Sequence, residues 1–342
     1  MSPVTLAPEW ERQDAMILVW PHANSDWSTH LASIEKTYCE LAYRINASQQ
    51  LIIIAYDLEH EAHIRDALSH YSVDEKKLLF ISIATNDTWI RDYGPLCVKS
   101  DNGNKVLDFK FDAWGKKYAY EKDNALTTKL LERLNITAAC EHIDFILEGG
   151  NIEVNAKHEL LSSLRCFSRQ NNLDINQLEK NLHAWFGIQR VYWLDCGKLE
   201  GDDTDGHIDT LARFCADDVI VYSAANTTDD PNTKTLQALQ QQLENIQHLN
   251  QHKFELIPLP VPEPIYHNNQ QLPASYTNFT ITNQQVLVPT FDDKQDDYAL
   301  QTMQDIFPSR EVIGINSVSM IQQFGGLHCA TMHLPENTLI KA

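Results

Sequence analysis

The sequence predicts one continuous mixed α/β domain over residues 1–342, and three observations carry that prediction. Short apolar runs of strand length alternate with longer helical stretches from one end of the chain to the other. No linker divides the chain: the Asn/Gln-rich stretches at 224–251 and 267–271 are polar, but apolar elements resume after each. The residues with reactive side chains also recur at nearly regular intervals, as set out below.

Strands are expected at 51–56 ("LIIIAY"), 78–83 ("LLFISI"), 96–99, 105–111 ("KVLDFKF", after an "NGN" turn), 190–194, 219–223 and 285–289. Helical periodicity covers 28–45, 58–70, 123–134, 174–186 and 231–247, with Ser28 and Asp123 as capping residues.

Length and composition narrow the function classes. A chain of 342 residues with 43% hydrophobic and 22% charged residues can bury a sizeable core unaided. Its 47 acidic residues against 27 basic ones give a net charge of −20, which argues against a nucleic-acid or anionic-membrane partner and suits a cationic ligand. The seven cysteines (39, 97, 140, 166, 196, 215 and 329) form no CxxC pair. Neither a zinc ribbon nor a disulfide framework is suggested, no metal or cofactor is expected, and the usage reads as cytoplasmic. The opening "MSPVTLAPEWERQD" has no basic segment followed by an apolar run, so no secretory leader is expected. The apolar runs are too short to span a membrane. The oligomeric state stays open, a homodimer among the options.

Four segments combine reactive residues with tight-turn signals. "TNDTWIRDYGP" at 85–95 holds Asp87, Trp89, Arg91 and Asp92; an aromatic beside a carboxylate can enclose a cation, although read alone the segment is equally a solvated turn with an internal Arg–Asp pair. "LEGGN" at 147–151 sets Glu148 before two glycines, where another group can come close. In "DDTDGHIDT" at 202–210, His207 and Asp209 are two apart and on a strand would share a face; a helix N-terminus is the bland alternative. In "QQFGGLHCATMHLP", Cys329 follows Gly325 and Gly326 closely; alone it would read as a buried packing residue, as the other six cysteines do.

Spacing changes that reading. Asp92 to Glu148 is 56 residues, Glu148 to His207 is 59, and His207 to Cys329 is 122, about twice the step. One reactive residue per supersecondary unit of some sixty residues gives this pattern, with a fifth contribution expected between His207 and Cys329. "SYTNFTI" at 275–281 lies there, and Asn278 is its best contributor. The spacing hints at a pseudo-repetitive arrangement with loops converging on one axis.

With these segments in place, the chain resembles the agmatine deiminase and bacterial-type peptidylarginine deiminase family of the guanidino-group-modifying pentein superfamily. The resemblance runs through "WPH" at 20–22, "NDTWIRDYGP", "LDFKFDAWGKKY" at 107–118, "EGGNIEV", "DGHIDTLARF", "SYTNFTI" and "GGLHCATMHLP". It implies a five-bladed, pseudo-fivefold α/β propeller with the active site on its central axis. It also implies hydrolysis of the guanidino group of agmatine to N-carbamoylputrescine and ammonia through a covalent Cys adduct, in a polyamine-synthesis role. Cys329 would be the nucleophile and His207 the acid–base. Asp92 and Asp209 would grip the guanidinium, and Glu148 would support the His or the guanidinium.

A guanidinium is planar and a poor electrophile while its charge is spread over three nitrogens. Two carboxylates forking its N–H groups hold the plane and localise the charge, and a cysteine beside an imidazolium supplies a soft nucleophile. Trp89 and Trp114 are candidate walls for the aliphatic part of the substrate, with Asp87, Gly326 and Asn278 completing the expected binding set.

Three departures bear on the distal specificity: Tyr93 in place of a Thr, "ATMHLP" in place of a Gln-rich segment, and "SRQNN" at 168–172 in place of Asn-Arg-Asn-Pro. The alternatives are a deiminase of free arginine, peptidyl arginine or methylated arginine, where a substrate α-carboxylate would call on Arg91, Arg169 or Arg213, and an amidinotransferase. A papain-like triad has the wrong chain order, and a metal- or polyamine-binding protein leaves the spacing unexplained. His328, beside the candidate nucleophile, is left without a role.

Overall fold

Five times along the chain, two antiparallel strands are followed by helix and then by a strand parallel to the second. The computed structural model describes residues 4–134, 136, 138–168, 174–225, 230–250 and 254–340. Taken from the C-terminal end, the unit that joins the two ends of the chain pairs Thr331–Pro335 antiparallel with Gln13–Val19. Helix Leu31–Ser48 then leads to the parallel strand Gln50–Ala55, and helix Leu58–Leu68 to Leu78–Ser82. The next unit pairs Leu96–Ser100 with Lys105–Lys110 and, after short helices between 113 and 131, adds Ala139–Ile146 in parallel. Val4–Leu6 extends its outer edge.

The third unit runs through Glu153–Val154, Glu159–Ser163, helix Ile175–Phe186 and Arg190–Leu194. The fourth uses Ala212–Ala216, Val219–Ala224, helix Thr233–Asn250 and Glu255–Pro260. The fifth uses Thr280–Ile281, Gln285–Thr290, helix Asp296–Ile306 and Glu311–Asn316. A small ribbon, Tyr266–His267 with Gln270–Gln271, stands outside this series.

Local sequence explains these elements. Leu51–Ala55 is buried throughout, as befits a strand flanked by parallel neighbours and covered by helices. In Ile175–Phe186 the buried residues Leu178, Leu182 and Phe186 recur every four positions. That helix starts on Asp174, whose side chain accepts from the Asn176 N–H at 2.9 Å, and stops at Gly187, whose φ of 72° suits glycine.

All seven predicted strands are present within a residue at either end. Strands absent from the sequence reading include Gln13–Val19, Ala139–Ile146, Ala212–Ala216 and Thr331–Pro335, together with helix Asp296–Ile306. Ala139–Ile146 ("ACEHIDFI") is largely exposed and polar, so it carries no apolar run to find.

Two capping assignments are corrected. Ser25, not Ser28, caps the turn Asp26–Thr29 that precedes helix Leu31–Ser48. Asp123 lies inside Glu121–Asn124, is buried, and accepts from the Asn86 and Asp87 N–H groups across the chain. The stretch read as one helix over 123–134 is two short ones, Glu121–Asn124 and Leu126–Leu131. Among the described residues no helix is long and apolar enough to cross a membrane.

Candidate active site

Each reactive residue sits just ahead of the first strand of one unit. Asp92 precedes Leu96–Ser100, Glu148 precedes Glu153–Val154, His207 and Asp209 precede Ala212–Ala216, Asn278 precedes Thr280–Ile281, and Cys329 precedes Thr331–Pro335. This is the structural origin of the sixty-residue step, with Asn278 as the fifth contribution.

Hydrogen bonds draw these loop residues together. Cys329 is buried; its Sγ lies 3.3 Å from Asn278 Nδ2 and 3.7 Å from Asp209 Oδ2. Asn278 Oδ1 accepts from the main-chain N–H of His328 at 3.0 Å and more weakly from that of Cys329 at 3.4 Å, which fixes the turn bearing the sulfur. Burial pushes the Cys329 thiol well above its ordinary range, and the nearby Asp209 and Asp92 carboxylates push the same way.

His207 is fully buried, with Nε2 2.8 Å from Glu148 Oε2 and Nδ1 3.5 Å from Asp92 Oδ1. Burial disfavours its charged form, but Asp92, Glu148 and Asp209 together outweigh that and raise it to about 9. The expectation that His207 and Asp209 share a strand face is corrected: they flank and enter the single-turn helix Ile208–Thr210. Asp92 accepts from Gly150 N–H at 2.9 Å and from the Trp114 indole N–H at 3.0 Å; burial above all raises its carboxyl to about 6.

The glycine pair after Glu148 follows from this crowding. A Cβ on Gly150 would stand 2.7 Å from both Asp92 Oδ1 and His207 Nδ1.

Asp209 Oδ2 is 2.8 Å from His328 Nδ1, while Asp209 Oδ1 is buried with no hydrogen-bond partner among the described residues; His207 Nδ1 is likewise unpartnered. Leaving such atoms buried and unpaired costs about 1–3 kcal/mol each. Although burial acts to raise the Asp209 carboxyl, bonding to His328 and nearby cationic groups hold it below the usual range.

Above the sulfur is a cavity lined by Asp26, Asp87, Trp89, Trp114, Tyr118 and Asp203 around Asp92 and Cys329. No Lys or Arg is among its described lining residues. Trp89 is buried against Trp27, with ring centroids 5.7 Å apart, and Gly325 packs directly under its ring. Trp114 belongs to a run of positive φ from Ala113 to Lys116, a strained backbone that aims the indole at Asp92. Burial raises the Asp87 carboxyl to about 7, with Asp26 adding to the effect.

Of the expected binding set, Asp87, Trp89 and Trp114 line the cavity. Asn278 does not: it holds the nucleophile's turn from behind. Gly326 is also absent from the wall, because a Cβ there would strike Asn278 Oδ1. Arg91 and Arg213 are buried and paired with Glu9 and Glu153, away from the lining. Residues 169–172, including Arg169, lie outside the described residues. Asp26, Tyr118, Asp203, Gln323 and Phe324 were missed, since they come from loops without periodic signal.

Among the described residues, two groups offer metal-type ligand atoms within 4.8 Å of one another, Glu148–Cys166–His207 and Asp108–Cys140–His142. In the first, His207 Nε2 already bonds Glu148, and in the second, His142 Nδ1 bonds Asp108.

Known proteins resemble the chain over nearly its whole length. The model of the Porphyromonas-type peptidyl-arginine deiminase family matches residues 5–335. A Cys-to-Ser variant of C. jejuni agmatine deiminase with substrate bound superposes with a TM-score of 0.91 at 32% identity, over 98% of this chain and 97% of that one. Agmatine deiminase of Pseudomonas aeruginosa is 26% identical over 96% of this chain and 94% of its own. The agmatine deiminase of Enterococcus faecalis shares the fold, with a TM-score of 0.87 at 22% identity over 98% of this chain and 97% of that one. The chain belongs to the Porphyromonas-type peptidyl-arginine deiminase family.

Proposed function

We propose that this protein hydrolyses the guanidino group of agmatine, giving N-carbamoylputrescine and ammonia, with residues 1–342 acting as one catalytic domain. The carrying observation is a buried thiol at the base of a cavity whose charged described lining is all acidic, flanked by Asp92 and by Asp209 with one unpartnered oxygen. A planar cation completes such a site. An α-carboxylate has no cationic partner among the described lining residues, which favours an ammonium at the distal end over the carboxylate of free arginine.

In this reading Asp92 and Asp209 grip the guanidinium N–H groups, and the arriving cation offsets the acidic field that keeps Cys329 protonated. The thiol proton leaves to solvent and the thiolate attacks the guanidinium carbon. Protonated His207, oriented by Glu148, gives its proton to the departing nitrogen; ammonia leaves and a thiouronium adduct remains on the sulfur. Neutral His207 then takes one proton from the attacking water. The second proton goes to the Cys329 sulfur as the C–S bond breaks, the released ammonia takes up in solvent the proton the thiol gave there, and the ureido product departs. Trp89 and Trp114 wall the aliphatic chain.

The five antiparallel–helix–parallel units also support a five-bladed pseudo-fivefold pentein propeller with this site on its axis.

The test is to incubate purified protein, with EDTA present, with agmatine, arginine and a peptidyl arginine, and to measure ammonia and ureido product. Turnover of agmatine by at least about a hundredfold in kcat/KM over arginine is expected, the size of one missing ion pair or one unpaired buried charge. Silence on all three, or dependence on added metal, overturns the reading.

A further inference from the structure

We infer that Glu9 is a positioning residue for this site: its carboxylate clamps the His328 imidazole, and the ring in turn fixes one oxygen of Asp209, leaving the other free for a ligand. Glu9 lies in the loop after Val4–Leu6 and is buried. Its Oε1 accepts from Ile281 N–H at 2.6 Å and Thr280 Oγ1 at 3.2 Å. Its Oε2 accepts from His328 Nε2 at 2.7 Å, Arg213 Nη2 at 2.9 Å and Arg91 Nη2 at 3.5 Å.

The bond to His328 is the shortest that Glu9 makes with another side chain, and it reaches the residue next to Cys329. Glu9 and Asp209 thus face opposite nitrogens of one ring, at 2.7 and 2.8 Å. When both carboxylates are ionised, both nitrogens must donate, and the ring is a cation held beside the sulfur. Burial acts to raise the Glu9 carboxyl, but His328, Arg213 and Arg91 together hold it well below its ordinary range, consistent with an ionised clamp.

Other charges face this relay from every side. Around Glu9 are Arg91, Arg213, Arg310, Glu153 and His333, the last kept neutral by burial and by Arg91. Around Asp209 are His207, Arg213, Asp92 and Cys329. Arg213 is already bonded to Glu153, so it cannot replace the ring at Asp209. Converting Glu9 to its neutral isostere takes the carboxylate away from His328 Nε2, so the ring is held less firmly and the Asp209 oxygen at its other nitrogen loses a fixed position.

The proposal rests on the deiminase reading only for what Asp209 is held to bind. The test is Glu9→Gln, assayed for thermal stability, KM and kcat. KM should rise about tenfold, with a smaller change in kcat. A folded variant that loses stability but keeps the wild-type KM overturns the proposal.

Should Glu9→Gln not fold, the wild-type protein decides through ¹⁵N-histidine spectra, with the His328 signals assigned by their loss in His328→Gln. Both nitrogens protonated across neutral pH supports the clamp, and one unprotonated nitrogen overturns it. This readout needs no turnover, so its failure and that of the deiminase reading are distinguishable.

Discussion

Two buried charged clusters meet at His328 and Cys329, and they are built differently. One is centred on Glu9 and Glu153 with Arg91 and Arg213, two carboxylates against two guanidinium groups. Arg213 bonds Glu153 at 2.8 Å, Glu9 at 2.9 Å and the Phe279 carbonyl, and lies 4.4 Å over the Phe279 ring. The other gathers Asp92, Glu148 and Asp209 around His207, with His328 shared between the two. It leaves Asp209 Oδ1 and His207 Nδ1 without hydrogen-bond partners among the described residues. The first cluster balances its own charges; a cluster meant for a ligand keeps atoms in reserve and is acidic by an amount that a cation can offset.

Substitutions can break this contrast, and the largest effect belongs to Cys329→Ser. Turnover should fall by about 10⁴-fold or more with the melting temperature little changed, whereas Cys97→Ser and Cys215→Ser should keep activity in whatever fraction folds. Equal loss in all three would point to folding instead of catalysis.

Asp209→Asn comes next, with a drop in kcat/KM of about 10³-fold in steady-state assays, because it removes both the grip on the guanidinium and a partner of His328. Arg213→Met tests the closed cluster. It leaves Glu153 without its guanidinium partner, takes one of two from Glu9, and should cost about 3–5 kcal/mol in denaturant unfolding.

The smallest effect is one of pH. Burial raises Asp92 to about 6 from an ordinary carboxylate value, so between those values the folded protein holds a proton that the unfolded chain has lost. This group therefore lowers stability as pH rises, and the penalty is complete above about 6. Relative to the wild type, Asp92→Asn should gain about 3 kcal/mol in urea unfolding between acidic and mildly alkaline buffer. No relative gain would mean that Asp92 is better compensated than its surroundings suggest.

The sequence made the two clusters unequally legible. The open one is readable because every unit delivers its residue just before its first strand, so Asp92, Glu148, His207 and Cys329 keep an even step. Asn278 was found by the same step, but its part in bonding the His328 and Cys329 N–H groups depends on the approach of two loops 51 residues apart. The closed cluster left no such trace, because Glu9 meets residues 204 and 319 positions away and belongs to no periodic pattern.

The fold shows the same division. Apolar strands such as Leu51–Ala55 announce themselves, whereas Ala139–Ile146 is a strand only because Lys105–Lys110 pairs with it. The cavity wall from Asp26, Tyr118 and Asp203 is likewise a product of tertiary approach, with Tyr118 Oη bonding Asp203 at 2.7 Å.

The central claim is that the open cluster awaits a cation, and proton exchange on binding measures it most directly. Agmatine should be titrated calorimetrically into Cys329→Ser at neutral pH in buffers of different ionisation enthalpy. Asp87, raised to about 7, and Asp92, raised to about 6, hold part of a proton in the free protein and should give it up as the cation enters. Net proton release that fades toward alkaline pH is the result predicted; proton uptake, or binding with no exchange, would contradict the account.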